Sequence, residues 1–183
     1  MRYLMLIPAA LAIACGTDRS DDMQAGALLD TTTISAPGPV TAMLRDGDGR
    51  DIGLLTLSQA DSGIRVVGRL MGFPQGSHAL HIHTTGSCSP DFEAAGPHWN
   101  PTGKEHGVDN ANGPHLGDLQ DAEFQSDSSA SYDAVAAGAE LRGANGLLDA
   151  DGAAIVLHAD RHDRRTDPDG ASGARIACGV ITS

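Results

Sequence analysis

Two histidines one residue apart, His81 and His83, open the chemistry of this 183-residue chain. They lie in SHALHIHT, residues 77–84, which alternates as a β-strand does. Side chains two apart on a strand share a face, so both imidazoles can reach one point. All eight histidines fall between His78 and His162. His98, His106 and His115, with Asp118, stand in residues 85–118, a stretch without a regular period, and His158 falls near the end of the run AAIVLHA. Imidazole is the commonest metal-ligating side chain, and this concentration points to a metal centre. The competing reading is scattered surface histidines or a loose metal-sequestering patch, and the ordered spacing weighs against it.

The elements that must position these groups read as strands. Residues 40–46, 51–59, 64–70, 77–84, 119–125, 131–137, 153–159 and 175–181 are short, β-prone runs, with turn signals at DGDG (46–49) and DSG (61–63). The second alternates as Ile52, Leu54 and Leu57 around polar and small positions. Eight such strands and no persuasive helix predict an all-β sandwich or flattened barrel. Hydrophobic content is 40% and aromatic content 3%, so the core is built from small and aliphatic side chains. Residues 85–118 and 160–174 are long polar loops. Loops of that length in a compact domain need something to organise them, and a metal clamp can do so. A net charge of −12 excludes a nucleic-acid binder, because phosphates repel a negative surface.

Residues 1–14 read as an export signal, with Arg2 ahead of an apolar run too short to span a bilayer. Ala12-Ile13-Ala14-Cys15 resembles a bacterial lipobox, which implies cleavage before a lipid-modified Cys15; the alternative is an ordinary signal peptide cut nearby. Either way the chain is exported, to a compartment where disulfides persist. Lipidation would anchor it to a membrane from the periplasmic side, and Gly16 after Cys15 favours the outer membrane. Residues 15–37 read as a polar tether and 38–183 as the domain.

Five ordered motifs then carry a family resemblance. GSHALHIH (76–83), GPHWNP (96–101), HG (106–107), GPHLGDL (113–119) and GARIACGVI (173–181) are similar to the copper/zinc superoxide dismutase family, especially its secreted bacterial branch. The resemblance implies an eight-stranded Greek-key β-sandwich with two long functional loops. It implies copper on His81, His83, His98 and His158, and zinc on His98, His106, His115 and Asp118, with His98 as a bridging imidazolate. The chemistry agrees: four imidazoles suit copper, and three imidazoles with a carboxylate suit a closed tetrahedral zinc site. The resemblance also implies a Cys88–Cys178 disulfide, Arg175 as the cation that attracts the anionic substrate, and a structural role for His78. It further implies that the substrate is superoxide, converted to oxygen and hydrogen peroxide, with His98 as proton carrier. The resemblance is compatible with either a monomer or a homodimer. The alternative function is copper and zinc storage or delivery without turnover.

One position departs from the family. Four residues after the last copper histidine the family has an Asp that hydrogen-bonds to histidines of both metals; this chain has His162, followed by Asp163. Either Asp163 takes the role through a shifted loop, or His162 substitutes and weakens zinc retention. Arg161, Arg164 and Arg165 in the same loop are candidates, with Arg175, for steering an anion despite the negative net charge.

Overall fold

The structure is a computed structural model that describes residues 39–144 and 146–183. The expected signal segment, the tether and Cys15 lie outside the described residues. Among the described residues nine strands follow in order: β1 Val40–Asp46, β2 Asp51–Ala60, β3 Gly63–Met71, β4 Gly76–His78, β5 Leu80–His83, β6 Ala122–Phe124, β7 Ser129–Ala137, β8 Ala154–His158 and β9 Arg175–Thr182. A single 3-10 turn, Phe92–Ala95, is capped by Asp91, whose carboxylate accepts the Glu93 N–H. Every strand pair is antiparallel. Seven strands form one curled sheet in the order β5-β8-β9-β1-β2-β3-β7, and β4 pairs with β6 separately. The expected all-β architecture is present.

Two local differences from the sequence pattern have physical causes. The run at 77–84 is not one strand. It breaks at Ala79, where the chain leaves the β4–β6 pair and joins the large sheet as β5. Ala79 is fully buried and holds the switch with its own backbone: its N–H donates to Asp160 O and its carbonyl accepts the His158 N–H, both at 2.9 Å. In β2 the pairing with β1 slips by one residue opposite Leu44 and Arg45. That bulge reverses the alternation. Leu54 is therefore 45% exposed, while Leu55 is fully buried beside Ile52 and Leu57.

The main core packs Ala42, Leu44, Leu55, Ile64, Leu70, Leu80, Ile82, Ile155 and Leu157 in one cluster, to which β7 contributes Ala130, Ala134 and Ala136. Behind β8 a second, small cluster packs Ala95, Ala154 and Val156 against the Cys88–Cys178 disulfide. The bridge spans 90 residues. In the chain-entropy account a closure of that length stabilises by about 4.5 kcal/mol. It fastens the loop after β5 to β9.

Candidate metal centre

β5 carries His81 and His83 on its ladder to β8, and both are fully buried. The other edge of β5 is occupied by the long loop. Ile82 N–H donates to Gly117 O at 2.9 Å, Ile82 O accepts the Trp99 N–H at 2.8 Å, and Thr84 N–H donates to Pro97 O at 3.0 Å. Gly117 N–H in turn donates to Trp99 O at 2.9 Å. Residue 117 must be glycine, because a Cβ there would stand 2.4 Å from Ile82 O. These bonds set His98 opposite His83 and Asp118 opposite His81. The loop is thus ordered by backbone docking on a strand edge as well as by any metal. His158 arrives at the end of β8, where a bulge pairs it with Arg175.

The side chains meet in two groups. Nitrogens of His81, His83, His98 and His158 lie within 4.8 Å of one another, with His83 Nε2 and His158 Nε2 3.4 Å apart. His83 Nδ1–H donates to Gly96 O at 2.8 Å, and His158 Nδ1 lies 3.1 Å from Ser172 Oγ. Both rings therefore turn Nε2 inward, as metal-ligating histidines do when the other nitrogen is engaged. In the second group Asp118 Oδ1 faces three Nδ1 atoms, His98 at 3.1 Å, His106 at 2.9 Å and His115 at 3.3 Å. His98 Nδ1 and His115 Nδ1 are 3.4 Å apart. Donors about 2.05 Å from a tetrahedral metal stand about 3.3 Å from each other, which is close to these separations. The other carboxylate oxygen, Oδ2, accepts N–H bonds from Gly107 (2.9 Å) and His115 (3.1 Å). Ligand atoms of His81, His98, His106 and Asp118 also lie within 4.8 Å of one another, so the two groups adjoin through His81 and His98.

Whether these residues fit metal ions is answered by their unpaired atoms. Both nitrogens of His81, Nε2 of His98 and both nitrogens of His106 are buried without a hydrogen-bond partner among the described residues. Buried polar atoms left unpaired are costly, and ligation by a cation resolves the cost. Burial lowers the pKa of His81, of His83 to about 2, of His98, and of His158 to about 4. These rings are neutral at physiological pH, the form that ligates metal. Burial pushes the Asp118 carboxyl up, but contacts from His106, His115, His98 and the Gly107 N–H outweigh it and hold the group well below the usual carboxylate range. For His115 burial works downward, and Asp118 and Asp167 overcome it, raising its pKa.

Arg175 begins β9. Its Nη1 donates to Phe92 O at 2.8 Å, and its Nη2 lies 3.3 Å from the exposed Glu93 carboxylate. Its charge is felt at His83 and His158. It lines a cavity of about 960 Å³ with Cys88, Phe92, Glu93 and Cys178. His78 stays apart from both groups: its Nδ1–H donates to His158 O at 3.1 Å.

The loop after β8 separates the residues read together in the sequence. Asp163 is exposed and caps its own turn, accepting N–H bonds from Arg165 (2.9 Å) and Thr166 (2.8 Å), and makes no hydrogen bond or ion pair to a histidine among the described residues. His162 is buried, and its ring centroid lies 5.5 Å from that of His81 and 5.4 Å from that of His106. Burial lowers its pKa. Arg164 forms an ion pair with Asp109 at 3.0 Å and lines a different cavity, of about 480 Å³, with His115, Asp121 and His162. It does not stand with Arg175. Sequence reasoning missed Asp121, Asp167 and Glu93, whose places depend on contacts between distant loops. Asp167 Oδ1 accepts the His106 backbone N–H at 2.7 Å across 61 residues.

The copper/zinc superoxide dismutase (SODC) family profile matches residues 52–181. A protein of Caulobacter vibrioides named superoxide dismutase [Cu-Zn] is 40% identical over 146 residues, covering 77% of this chain and 84% of its own. Superoxide dismutase [Cu-Zn] 2 of Aquifex aeolicus is 34% identical over 158 residues, covering 84% of this chain and 92% of its own. Among solved structures, a superoxide dismutase-like protein from Bacillus subtilis superposes with a TM-score of 0.74 at 35% identity, over 78% of this chain and 97% of its own.

Proposed function

The chain belongs to the copper/zinc superoxide dismutase family, and we propose that it disproportionates superoxide, with copper held by His81, His83, His98 and His158 and zinc held by His98, His106, His115 and Asp118. One observation carries the reading. His98 turns Nδ1 toward Asp118 and His115, while its buried Nε2 has no partner among the described residues. A single ring therefore belongs to both groups.

In the reaction, two superoxide anions and two protons give oxygen and hydrogen peroxide. Bound copper supplies one-electron exchange and bound zinc a fixed positive charge. His98 Nε2 holds one proton for the peroxide product, while Nδ1 stays anchored beside Asp118; solvent supplies the second proton. Arg175 draws the anion in. Its guanidinium is fixed by Phe92 O. Neutral His83 and His158 keep their inward Nε2 atoms free of protons.

The proposal extends to placement. Residues 1–14 direct export, Cys15 carries the lipid anchor, residues 15–37 form the tether, and the domain over 38–183 works in the periplasm. The Cys88–Cys178 disulfide supports an oxidising compartment. Mass spectrometry of the mature N-terminus reads the Cys15 modification directly. Superoxide consumption by the copper- and zinc-loaded full chain, beside Arg175→Ala, tests the activity. Catalytic consumption with a several-fold loss in the variant is expected. Metal binding without consumption would mark a storage or delivery protein instead.

A further inference from the structure

His81, His106 and His162 form a triangle of imidazoles with centroids 5.3, 5.4 and 5.5 Å apart. All three are buried, and each has nitrogen without a hydrogen-bond partner among the described residues: both atoms of His81, both of His106, and Nδ1 of His162. An imidazole that ligates a metal through one nitrogen carries N–H on the other, and that N–H needs an acceptor. His83 has Gly96 O, and His158 has the Ser172 hydroxyl. His106 has Nδ1 beside Asp118, which leaves Nε2 to be satisfied.

The His162 ring stands on the side of that nitrogen: the two centroids are 5.4 Å apart, Gly170 packs against both His106 Nε2 and His162 Cβ, and His162 Nδ1 is likewise buried without a partner among the described residues. Its Nε2 lies 3.5 Å from Asp121 Oδ1, and its backbone N–H donates to the same oxygen at 3.4 Å. A carboxylate only accepts. The proton of a neutral His162 is therefore drawn to Nε2, and Nδ1 becomes a lone pair on the buried side. The loop is built to come this close. A Cβ on residue 170 would stand 2.4 Å from His106 Nε2 and 2.8 Å from His162 Cβ, and the residue has φ +67°, so glycine is required there. Asp121 in turn lies three residues after Asp118, on the segment that supplies the zinc-side carboxylate.

We infer that Asp121 and His162 act as one positioning couple: Asp121 fixes the tautomer of His162, and His162 Nδ1 is the acceptor that orients His106 for zinc. This rests on the zinc assignment proposed above. The couple touches no metal, yet zinc affinity depends on it.

The test is zinc titration of the metal-free full chain against a competing chelator, with melting points of the metal-free variants measured alongside. Asp121→Asn keeps the size but frees the tautomer, and weakens zinc binding by about tenfold or more, with the metal-free melting point near that of the wild type. His162→Asp brings an acceptor of its own, so in that background Asp121→Asn no longer weakens zinc. Unchanged zinc affinity in Asp121→Asn, or an equal loss in both backgrounds, overturns the couple and leaves the zinc assignment standing. A wild-type chain that binds no zinc overturns the zinc assignment, and the couple falls with it.

Discussion

The two halves of the metal centre are built differently. The proposed copper side draws His81, His83 and His158 from β5 and β8; the β5–β8 ladder fixes His81 and His83, and pairing with Arg175 and Ala79 fixes His158, before any metal arrives. The proposed zinc side draws His98, His106, His115 and Asp118 from a loop that has no ladder of its own and borrows one edge of β5. Their electrostatics differ in the same sense. Burial keeps the strand-borne imidazoles neutral, whereas the loop group surrounds a strongly ionised carboxylate. A strand-borne site is preorganised and resists protons. A loop-borne site is gathered around a charge, and its order is coupled to the cation it receives. His98 ties the two together.

The comparison breaks first at Asp118. Asp118→Asn weakens zinc by more than the roughly 10–100-fold typical of losing an outer hydrogen-bond partner. Hydrogen exchange then accelerates at residues 99–117 and leaves β5 and β8 protected; uniform acceleration would mean the halves are not separate. Next is Gly117→Ala, whose Cβ meets Ile82 O. It destabilises by about 1–3 kcal/mol, in the metal-free protein as much as in the loaded one, by thermal melting. A penalty confined to the loaded form would make metal the sole organiser of the loop.

A third outcome concerns pH. Unfolded imidazoles take a proton near 6.5, whereas folded His83 and His158 do so near 2 and 4. Between those limits the unfolded state binds more protons, so the metal-free protein loses stability as pH falls below about 6.5. Asp118 is also lowered, so its contribution has the same sign: it is complete above the unfolded carboxylate value near 3.8 and is lost only as pH falls below that, outside the pH 5 to 7 window. The melting point should therefore drop steadily from pH 7 to pH 5, and a flat profile would contradict the buried, neutral strand group. The smallest effect is at Arg164, which is paired with Asp109 away from Arg175. Arg164→Ser leaves the salt dependence of superoxide consumption unchanged, while Arg175→Ala flattens it.

Strand-borne features were the most legible in sequence. The His81–His83 alternation puts two histidines on one face, the AAIVLHA run places His158 near a strand end, and the family motifs name the rest. The exchange of Leu54 for Leu55 was not legible, because a bulge is set by cross-strand pairing rather than by the run of residues in one strand. The break at Ala79 was hidden for a related reason: both halves alternate, and only the pairing of His158 and Asp160 with Ala79 divides them. In the loops, Asp163 is the obvious carboxylate near His162, yet local N–H groups capture it, and Asp121, 41 residues earlier, reaches His162 instead. Short-range capping competes with long-range contact, and sequence spacing does not reveal which prevails.

The central claim is that one imidazole serves both groups and carries the proton. Superoxide consumption by His98→Ala, compared with wild type at matched copper and zinc content, tests it most directly. A loss of about 100-fold or more is expected from removal of a proton carrier together with the link between the groups. Wild-type turnover in that variant, with both metals bound, would contradict the account.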